Sequence, residues 1–409
     1  MQGAKPIFVE RGPYIYDDHM TKVVNRIDEE LDEIEYNIIR SFRFNGEKSD
    51  PLSDKDQITI MNVAYLGAIN TIATVAPSFL PDVGNDLYKL FPLFKNIFVK
   101  GKVKDILFDG LSLNCNKKKY PELAMICNVL KTKKPPIMRD TDREGIYKYS
   151  YLAKLNGTVQ GPFTANRGVR NLSLLGELTS IEGKRNRKMW EVDECNQVSG
   201  SDSITWSPMD FRKPRLYPYV LDACRNVFIS YEEDIIVSGI NGWKYQFTED
   251  LWDYVNMECY CPRDDQNNIQ CLPKGLQDIS KCQEAPVIMS EPHFLNADPI
   301  VLAESVGLTP NKKMHSTYLI VDPVTGVPVA GQKRLQLNMR LIKMSEVDYL
   351  NNVSDTYFPL LWMDQGGVAN IQQLSVSHQA HRTLHLLKFL QALPIFIGLY
   401  ILSAAFFLL

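Results

Sequence analysis

The sequence has little of what surface chemistry needs. It carries six histidines in 409 residues. No Gly-x-Ser-x-Gly elbow, His-Glu-x-x-His helix, phosphate loop or dinucleotide fingerprint occurs, which removes the common sequence marks of serine hydrolases, zinc proteases and nucleotide enzymes. An excess of positive charge is also missing. Lys and Arg total 45 against 48 Asp and Glu, a formal net charge of −3, so there is no basic field of the kind that holds nucleic acid. Met1-Gln2-Gly3-Ala4-Lys5 opens without an apolar stretch, so neither a signal peptide nor a first membrane span is written there. Carboxylates are many, but none can be placed across a cleft. The expectation is a binding protein, not an enzyme, with no metal and no cofactor.

What is present points to a membrane and an oxidising compartment. From Phe389 to Leu409 no charged residue occurs. A helix rising ~1.5 Å per residue crosses a ~30 Å hydrocarbon core in that length, and Pro394 and Gly398 are tolerated in such helices. Six of the eight cysteines crowd between Cys195 and Cys282: Cys195, Cys224, Cys259, Cys261, Cys271 and Cys282. Structural zinc wants close Cys pairs, and Cys259-Tyr260-Cys261 is the single close spacing, so a disulfide framework is the better reading. Cys259 and Cys261 share one side of an extended segment and are expected to bond different partners; spacing leaves the connectivity open. Asn156-Gly157-Thr158, Asn171-Leu172-Ser173 and Asn352-Val353-Ser354 are glycosylation acceptors, at Asn156, Asn171 and Asn352, and favour an extracellular or lumenal face. A cytosolic tail-anchored chain would suit the opening residues; the cysteines and acceptors argue for the other side. The expectation is therefore an incomplete sequence, with an apolar segment upstream of Met1.

Short β-like runs fill much of the chain: Ile38–Phe44 followed by the hairpin signal Asn45-Gly46, then Tyr147–Tyr151, Val169–Ser173, Ile235–Val237, Trp243–Phe247, Tyr318–Asp322 and Arg334–Leu341. So many strands at short spacing predict a large antiparallel sheet closing as a barrel. Ile58, Met61, Ala64, Tyr65, Ala68, Ile69 and Ile72 recur at helical spacing, and Val83–Phe98 reads as a second helix. Together they predict an apolar helical cap over 58–98, chiefly core, with an outer surface for a hydrophobic ligand or partner. The acidic run Asp28–Glu35 reads as an exposed edge. His378, His381 and His385 share one helical face ahead of the apolar run and read as interfacial polar residues. His293 reads as a satisfied structural histidine.

Several segments together resemble one family. Lys5-Pro6-Ile7-Phe8-Val9-Glu10-Arg11-Gly12-Pro13-Tyr14-Ile15-Tyr16, Arg167-Gly168-Val169 with Leu175-Gly176 and Trp190, Lys274–Cys282, Ser290–Pro299, Asp322-Pro323-Val324-Thr325-Gly326-Val327-Pro328 and Pro359-Leu360-Leu361-Trp362 look like class B scavenger receptors. Leu107–Cys115 and Cys127 look most like the arthropod sensory neuron membrane proteins within that family. The resemblance implies an α+β ectodomain over 1–385, built as an antiparallel β-barrel with the cap, a disulfide-rich region at 195–282 and an internal hydrophobic tunnel. It also implies two membrane spans, of which 389–409 is one. It implies the pairs Cys195–Cys259, Cys224–Cys282 and Cys261–Cys271; Cys115 and Cys127 are expected to form a fourth. The function implied is capture of a lipid or fatty-acid-derived ligand at the plasma membrane, as in odorant or pheromone detection, with an odorant receptor channel and a soluble lipid carrier as partners and no nucleic acid. The alternative is a scavenger or adhesion receptor for lipoprotein, microbial or apoptotic-cell surfaces. It would use a cap patch of Lys89, Lys95 and Lys100, with Lys102 and Lys104 beside them.

Overall fold

Antiparallel pairing builds the first sheet from two long strands. In the computed structural model, which describes residues 5–264 and 266–408, the strands Tyr16–Asp28 and Glu33–Phe44 form an antiparallel hairpin, extended by Val159–Asn166 and Leu178–Ile181 into a four-stranded sheet. Its inner face buries Tyr36, Ile38, Phe163 and Ile181. The acidic run is the tip of this hairpin. Asp28 accepts from the backbone N–H groups of Glu30 and Leu31, while the buried Asp32 accepts from Arg170 N–H at 2.8 Å. Asn45-Gly46 does not make a hairpin. Asn45 accepts from Lys48 N–H at 3.0 Å and caps the short helix Gly46–Ser49, a use for which Asn is equally suited.

The largest sheet has eight antiparallel strands. Ile229–Val237 and Ile240–Gln246 are joined through Ser238 (φ 50°) and Gly239 (φ 78°), the two-residue turn that matches strand twist. Tyr318–Val321 follows, then the long strand Pro328–Leu341. One edge of that strand pairs along its length with Thr356–Val368; the other is shared between Tyr318–Val321 and Ile288–Ser290. Register shifts at Ile320/Val321 and Leu337/Asn338 accompany the sharing, and such bulges bend strands. The sheet therefore curls as half a barrel. The closed barrel expected from the strand count is a correction. The described strands divide into five sheets, and the outer strands Arg215–Leu216 and Gln277–Asp278 of the eight-stranded one do not pair with each other.

The turn Asp322–Val327 shows why its sequence is so constrained. Asp322 accepts from Val324 N–H (3.0 Å) and Thr325 Oγ1 (2.7 Å), and Gly326 N–H closes onto the Asp322 carbonyl at 2.8 Å. Gly326 sits at φ 74°, and a Cβ there would lie 2.0 Å from the Trp206 carbonyl oxygen. Gly326→Ala is expected to lower stability by at least about 2 kcal/mol, since left-handed backbone alone costs ~1–2 kcal/mol and the clash is with backbone. A melting temperature unchanged in thermal denaturation would refute this.

The cap region differs from its expectation. Gln57–Met61 is a strand paired with Phe98–Lys102, not the start of a helix. Asn62 then accepts from Tyr65 N–H and begins the helix Val63–Val75. Residues 83–98 form no second helix: Pro81, Gly84 and Pro92 break the run into the short helix Leu80–Val83, the 3₁₀ turn Leu87–Leu90 and strands. Val63, Tyr65, Leu66 and Ile69 join the largest core cluster with Leu87, Leu90, Met339 and Val347. Val169–Ser173 is likewise no strand; Asn171 accepts from Ser173 N–H and opens a 3₁₀ turn at Leu172–Leu174.

The C-terminal helix is Ile371–Leu408, beginning well before the predicted 389. Asn370 and Gln373 exchange side-chain-to-backbone hydrogen bonds at 2.9 Å each, a reciprocal cap that starts a helix. At ~1.5 Å per residue it is about 57 Å long, nearly twice a hydrocarbon core. Its first turns dock on the Asp322–Val327 turn through Ser377 Oγ to Thr325 Oγ1 (3.2 Å) and His381 Nε2 to Asp322 Oδ1 (3.0 Å). Residues 371–401 are long and apolar enough to cross a membrane, and the most hydrophobic window of that stretch is not buried in the protein. Leu409 lies outside the described residues.

Candidate ligand-binding site

Four disulfides fasten the chain: Cys115–Cys127, Cys195–Cys259, Cys224–Cys282 and Cys261–Cys271, with Cα separations of 5.5, 5.8, 5.8 and 4.8 Å. Cys259 and Cys261 do part company. The last three bonds hold residues 195–282 against the curled sheet around a second core cluster that includes Val227, Phe228, Leu251, Trp252, Met289 and Leu335.

Cys224 is where this region becomes chemically unusual. It adopts left-handed backbone (φ 48°) after the turn Leu221–Ala223, and the next residue, Arg225, starts a strand paired with Tyr219–Val220. The cystine thus fixes its neighbour in the chain. Arg225 is 2% exposed. Its guanidinium lies 4.2 Å from the Tyr260 ring centre, and Tyr260 packs against Trp190 at 5.3 Å. Trp190 Nε1–H in turn donates to the Cys224 carbonyl at 3.1 Å. Arg225 Nη1 reaches the Asn256 carbonyl at 3.5 Å, while Nε and Nη2 have no acceptor among the described residues. Burial lowers the guanidinium to about 10, with Tyr260 opposing the shift, so it stays charged at neutral pH.

Arg225 lines a small enclosed pocket with Val220, Leu251, Trp252, Leu335 and two further cations, Lys333 and Arg334. Both of those are engaged. Lys333 Nζ lies 2.6 Å from Asp222 Oδ2, and Arg334 Nε donates to Asp364 at 3.1 Å. Burial pushes the Asp222 carboxyl up, but Lys333 in contact, with Arg40 and Lys154 nearby, outweighs it and holds the group below its usual range. Behind Trp252 stands Glu291, 1% exposed. It accepts from Trp252 Nε1 (3.0 Å) and Asn296 Nδ2 (2.7 Å). Burial pushes its carboxyl up to about 7 against those two bonds. The space inside is about 20 Å³, room for one small group. A larger groove of about 520 Å³ lies between Lys104, Asp105, Asp109, Arg139, Asp140 and Lys148; its charges compensate one another, and it offers no apolar wall.

The predicted residues fare unevenly. Lys89 is neutralised by Asp86 (2.7 Å) and Glu122 (3.1 Å), and its ammonium is shifted up chiefly by the hydrogen bond to Asp86. Lys100 and Lys102 are exposed on Phe98–Lys102, a different element, and Lys104 pairs with Asp109. The Lys95 side chain lies outside the described residues. Asn156, Asn171 and Asn352 are all exposed. His293 uses both ring nitrogens, Nδ1 accepting from Thr309 N–H (3.0 Å) and Nε2 meeting Glu10 (2.8 Å). Glu10 also accepts from Trp362 Nε1 at 3.0 Å, so the opening segment is tied to the sheet. His381 is paired with Asp322, and among the described residues no group of three His, Cys, Asp or Glu is arranged to hold a metal. Sequence reasoning missed Arg225, Asp222, Lys333 and Glu291. The one available signal was that Glu291 lies in the Ser290–Pro299 segment; a charged residue beside a cystine carries no periodicity.

Among the described residues, a curled sheet with a cystine-fastened segment is followed by one helix long and apolar enough to cross a membrane, the build of a membrane-anchored receptor. The chain belongs to the CD36 family, whose family model matches residues 1–409. It is similar to sensory neuron membrane protein 2 of Heliothis virescens, with 32% identity over 92% of this chain and 74% of the relative, and to that of Manduca sexta, with 33% over 94% and 75%. Sensory neuron membrane protein 1 of Apis mellifera is 30% identical over 98% of this chain and 76% of its own length.

Proposed function

We propose that this chain is a plasma-membrane lipid receptor or co-receptor. It captures hydrophobic, fatty-acid-derived ligands of the odorant or pheromone class and delivers them through a tunnel in the ectodomain towards the membrane. The bulk of the chain lies outside the cell, where the four cystines persist and the three exposed acceptor asparagines carry glycans. A soluble carrier hands the ligand over, and an odorant receptor channel receives it. The observation that carries the reading is membership of the CD36 family together with a C-terminal helix long and apolar enough to cross a membrane; the apolar space enclosed between the sheet and the disulfide-rich segment, about 20 Å³, has to widen to take a long chain. Each methylene buried there contributes ~0.8 kcal/mol, so uptake needs no chemistry, and the work is binding, not catalysis. The relatives' names as sensory neuron membrane proteins support the sensory setting.

The test is uptake of a fluorescent long-chain lipid by the full chain in nanodiscs. Leu335→Asp places a charge on the pocket wall and is expected to lower uptake at least tenfold in protein that keeps its four disulfides. Unchanged uptake would overturn the tunnel reading. The scavenger alternative rests on Lys100 and Lys102, which stay exposed. It requires binding that weakens steeply with salt, because surface charge is screened within ~10 Å at 0.1 M. Tunnel uptake is expected to be insensitive to salt.

A further inference from the structure

We infer that His293 and His315 form an acid-sensitive latch, which holds the N-terminal strap 6–10 on the curled sheet near neutral pH and releases it in acid. The inference goes beyond lipid uptake and does not depend on it. The strap's backbone meets Val306: Val306 N–H donates to the Pro6 carbonyl at 3.0 Å, and Phe8 N–H to the Val306 carbonyl at 2.8 Å. Its side chains reach the sheet. Phe8 packs edge-on against Phe358 at 4.7 Å, and Glu10 meets both His293 and Trp362. Val306 is held in turn by the loop that follows it, and the two histidines pin that loop.

Both rings use the same nitrogen in the same way. His293 Nδ1 accepts from Thr309 N–H at 3.0 Å, and His315 Nδ1 accepts from Asn311 N–H at 3.1 Å. The rings stack with 4.2 Å between centres, and both residues are buried. An imidazole accepts at Nδ1 only while it is neutral. Protonation there sets one N–H against another, so each charged ring expels the loop donor it held, and two charged rings repel each other. The surroundings do not undo this. Glu10 favours a charged His293, but it acts at Nε2 and leaves the conflict at Nδ1. Arg334 donates to the Ser316 carbonyl at 3.0 Å, pairs with Asp364 and opposes charge on His315. Lys312 and Lys313 precede His315 on its short helix, Lys312 being paired with Glu232. Glu291 turns away to Trp252. Burial, helped by His293, lowers His315 from its ordinary 6.5 to about 4. The closed loop therefore loses stability as pH falls from 6.5 towards 4. The next anchor along the chain, Arg11 on Asp56 at 3.0 Å, lies beyond Glu10, and release stops there.

The experiment is peptide-resolved hydrogen–deuterium exchange on the full chain in nanodiscs, with each rate corrected for intrinsic exchange at that pH. Protection of residues 305–311 reports the opening equilibrium of the loop. Between pH 7.5 and 4.5 it is expected to fall at least about thirtyfold, tenfold for each unit between the two values of His315. The strap 6–10 should lose protection with it, while the strand Glu33–Phe44 keeps its own. His315→Asn leaves an acceptor for Asn311 N–H but does not titrate. It is expected to match wild type at pH 7.5 and to show a fall at least tenfold smaller. Constant protection of 305–311 across the range overturns the latch. So does an equal loss in Glu33–Phe44, which would mean that the whole ectodomain opens; that comparison needs no variant. A fall of full size in His315→Asn overturns it as well.

Discussion

Replacing Cys224 and Cys282 together by serine is expected to lower the unfolding free energy by about 4 kcal/mol, whereas opening Cys261–Cys271 should cost about 3 kcal/mol, the difference following loop length. The two bonds span sequence separations of 58 and 10. The Cys195–Cys259 bond interleaves with the first, but the path through it shortens the 58-residue loop only slightly, so it gives little cover. The Cys224–Cys282 bond also has a local task. It pins the left-handed residue immediately ahead of Arg225 and holds the turn Leu221–Ala223 to the short helix Ser280–Gln283. Its loss should therefore show twice, as a lower urea midpoint and as looser packing of Trp190 and Tyr260 against Arg225 under conditions where the protein is still folded. Urea melts of secreted protein, followed by tryptophan fluorescence, check the first. A loss below about 1 kcal/mol for the long loop would mean that residues 195–282 keep their arrangement in the unfolded chain, and the entropic account would fall.

The same region marks the boundary of what could be read in advance. Tyr318–Val321 announces itself as a continuous run of apolar, β-prone residues and Arg334–Leu341 by alternation, although the polar Gln336 and Asn338 of the latter are buried as well. The residues 58–62 misled for a physical reason: Ile58 and Met61, three apart, satisfy a helical spacing while Ile58 and Ile60, two apart, satisfy a strand spacing, and the decision was made by pairing with Phe98–Lys102 and by the Asn62 cap. Asn45 shows the converse, a residue equally good at capping a helix and at turning a hairpin, whose use is settled by its tertiary surroundings. The long helix start at 371 was missed because Gln372, Gln373, Ser375 and Ser377 look like a polar loop; their order comes from the Asn370–Gln373 cap and from docking on Asp322 and Thr325. Cystine pairing was open from spacing and came with the family resemblance. The pocket was not legible at all. Its defining contacts join residues far apart in the chain, Asp222 to Lys333 across 111 positions and Trp252 to Glu291 across 39, and no local pattern encodes them. A buried charge reads in sequence like an exposed one until the fold closes over it.

Two buried groups, Glu291 and His315, should make the wild-type protein deceptively insensitive to mild acid. Glu291 has its carboxyl raised to about 7 by burial. In the unfolded chain it ionises near its ordinary value of about 4.3. Its contribution is thus full in acid and is lost as pH rises through 7, a change of about 3 kcal/mol. His315 runs the other way. Burial lowers its imidazole to about 4, helped by His293, whose ring lies 4.2 Å away, and opposed by Glu10. Its contribution is full above the unfolded value of about 6.5 and is lost as pH falls through 4, by about 2 kcal/mol once partial solvent screening is allowed for. Between pH 7 and 4.5 the two slopes oppose each other. Glu291→Gln keeps an acceptor for Trp252 and Asn296 but removes the titration, so relative to wild type it should gain stability at pH 8 and lose that gain by pH 4.5. His315→Asn keeps an acceptor for Asn311 N–H, which the ring now serves at 3.1 Å. Relative to wild type it should gain stability as the pH falls. Difference curves against wild type cancel the carboxylates common to all three proteins. If Glu291→Gln tracks wild type from pH 5 to 8, Glu291 is ionised throughout, and burial behind Trp252 does not raise its carboxyl.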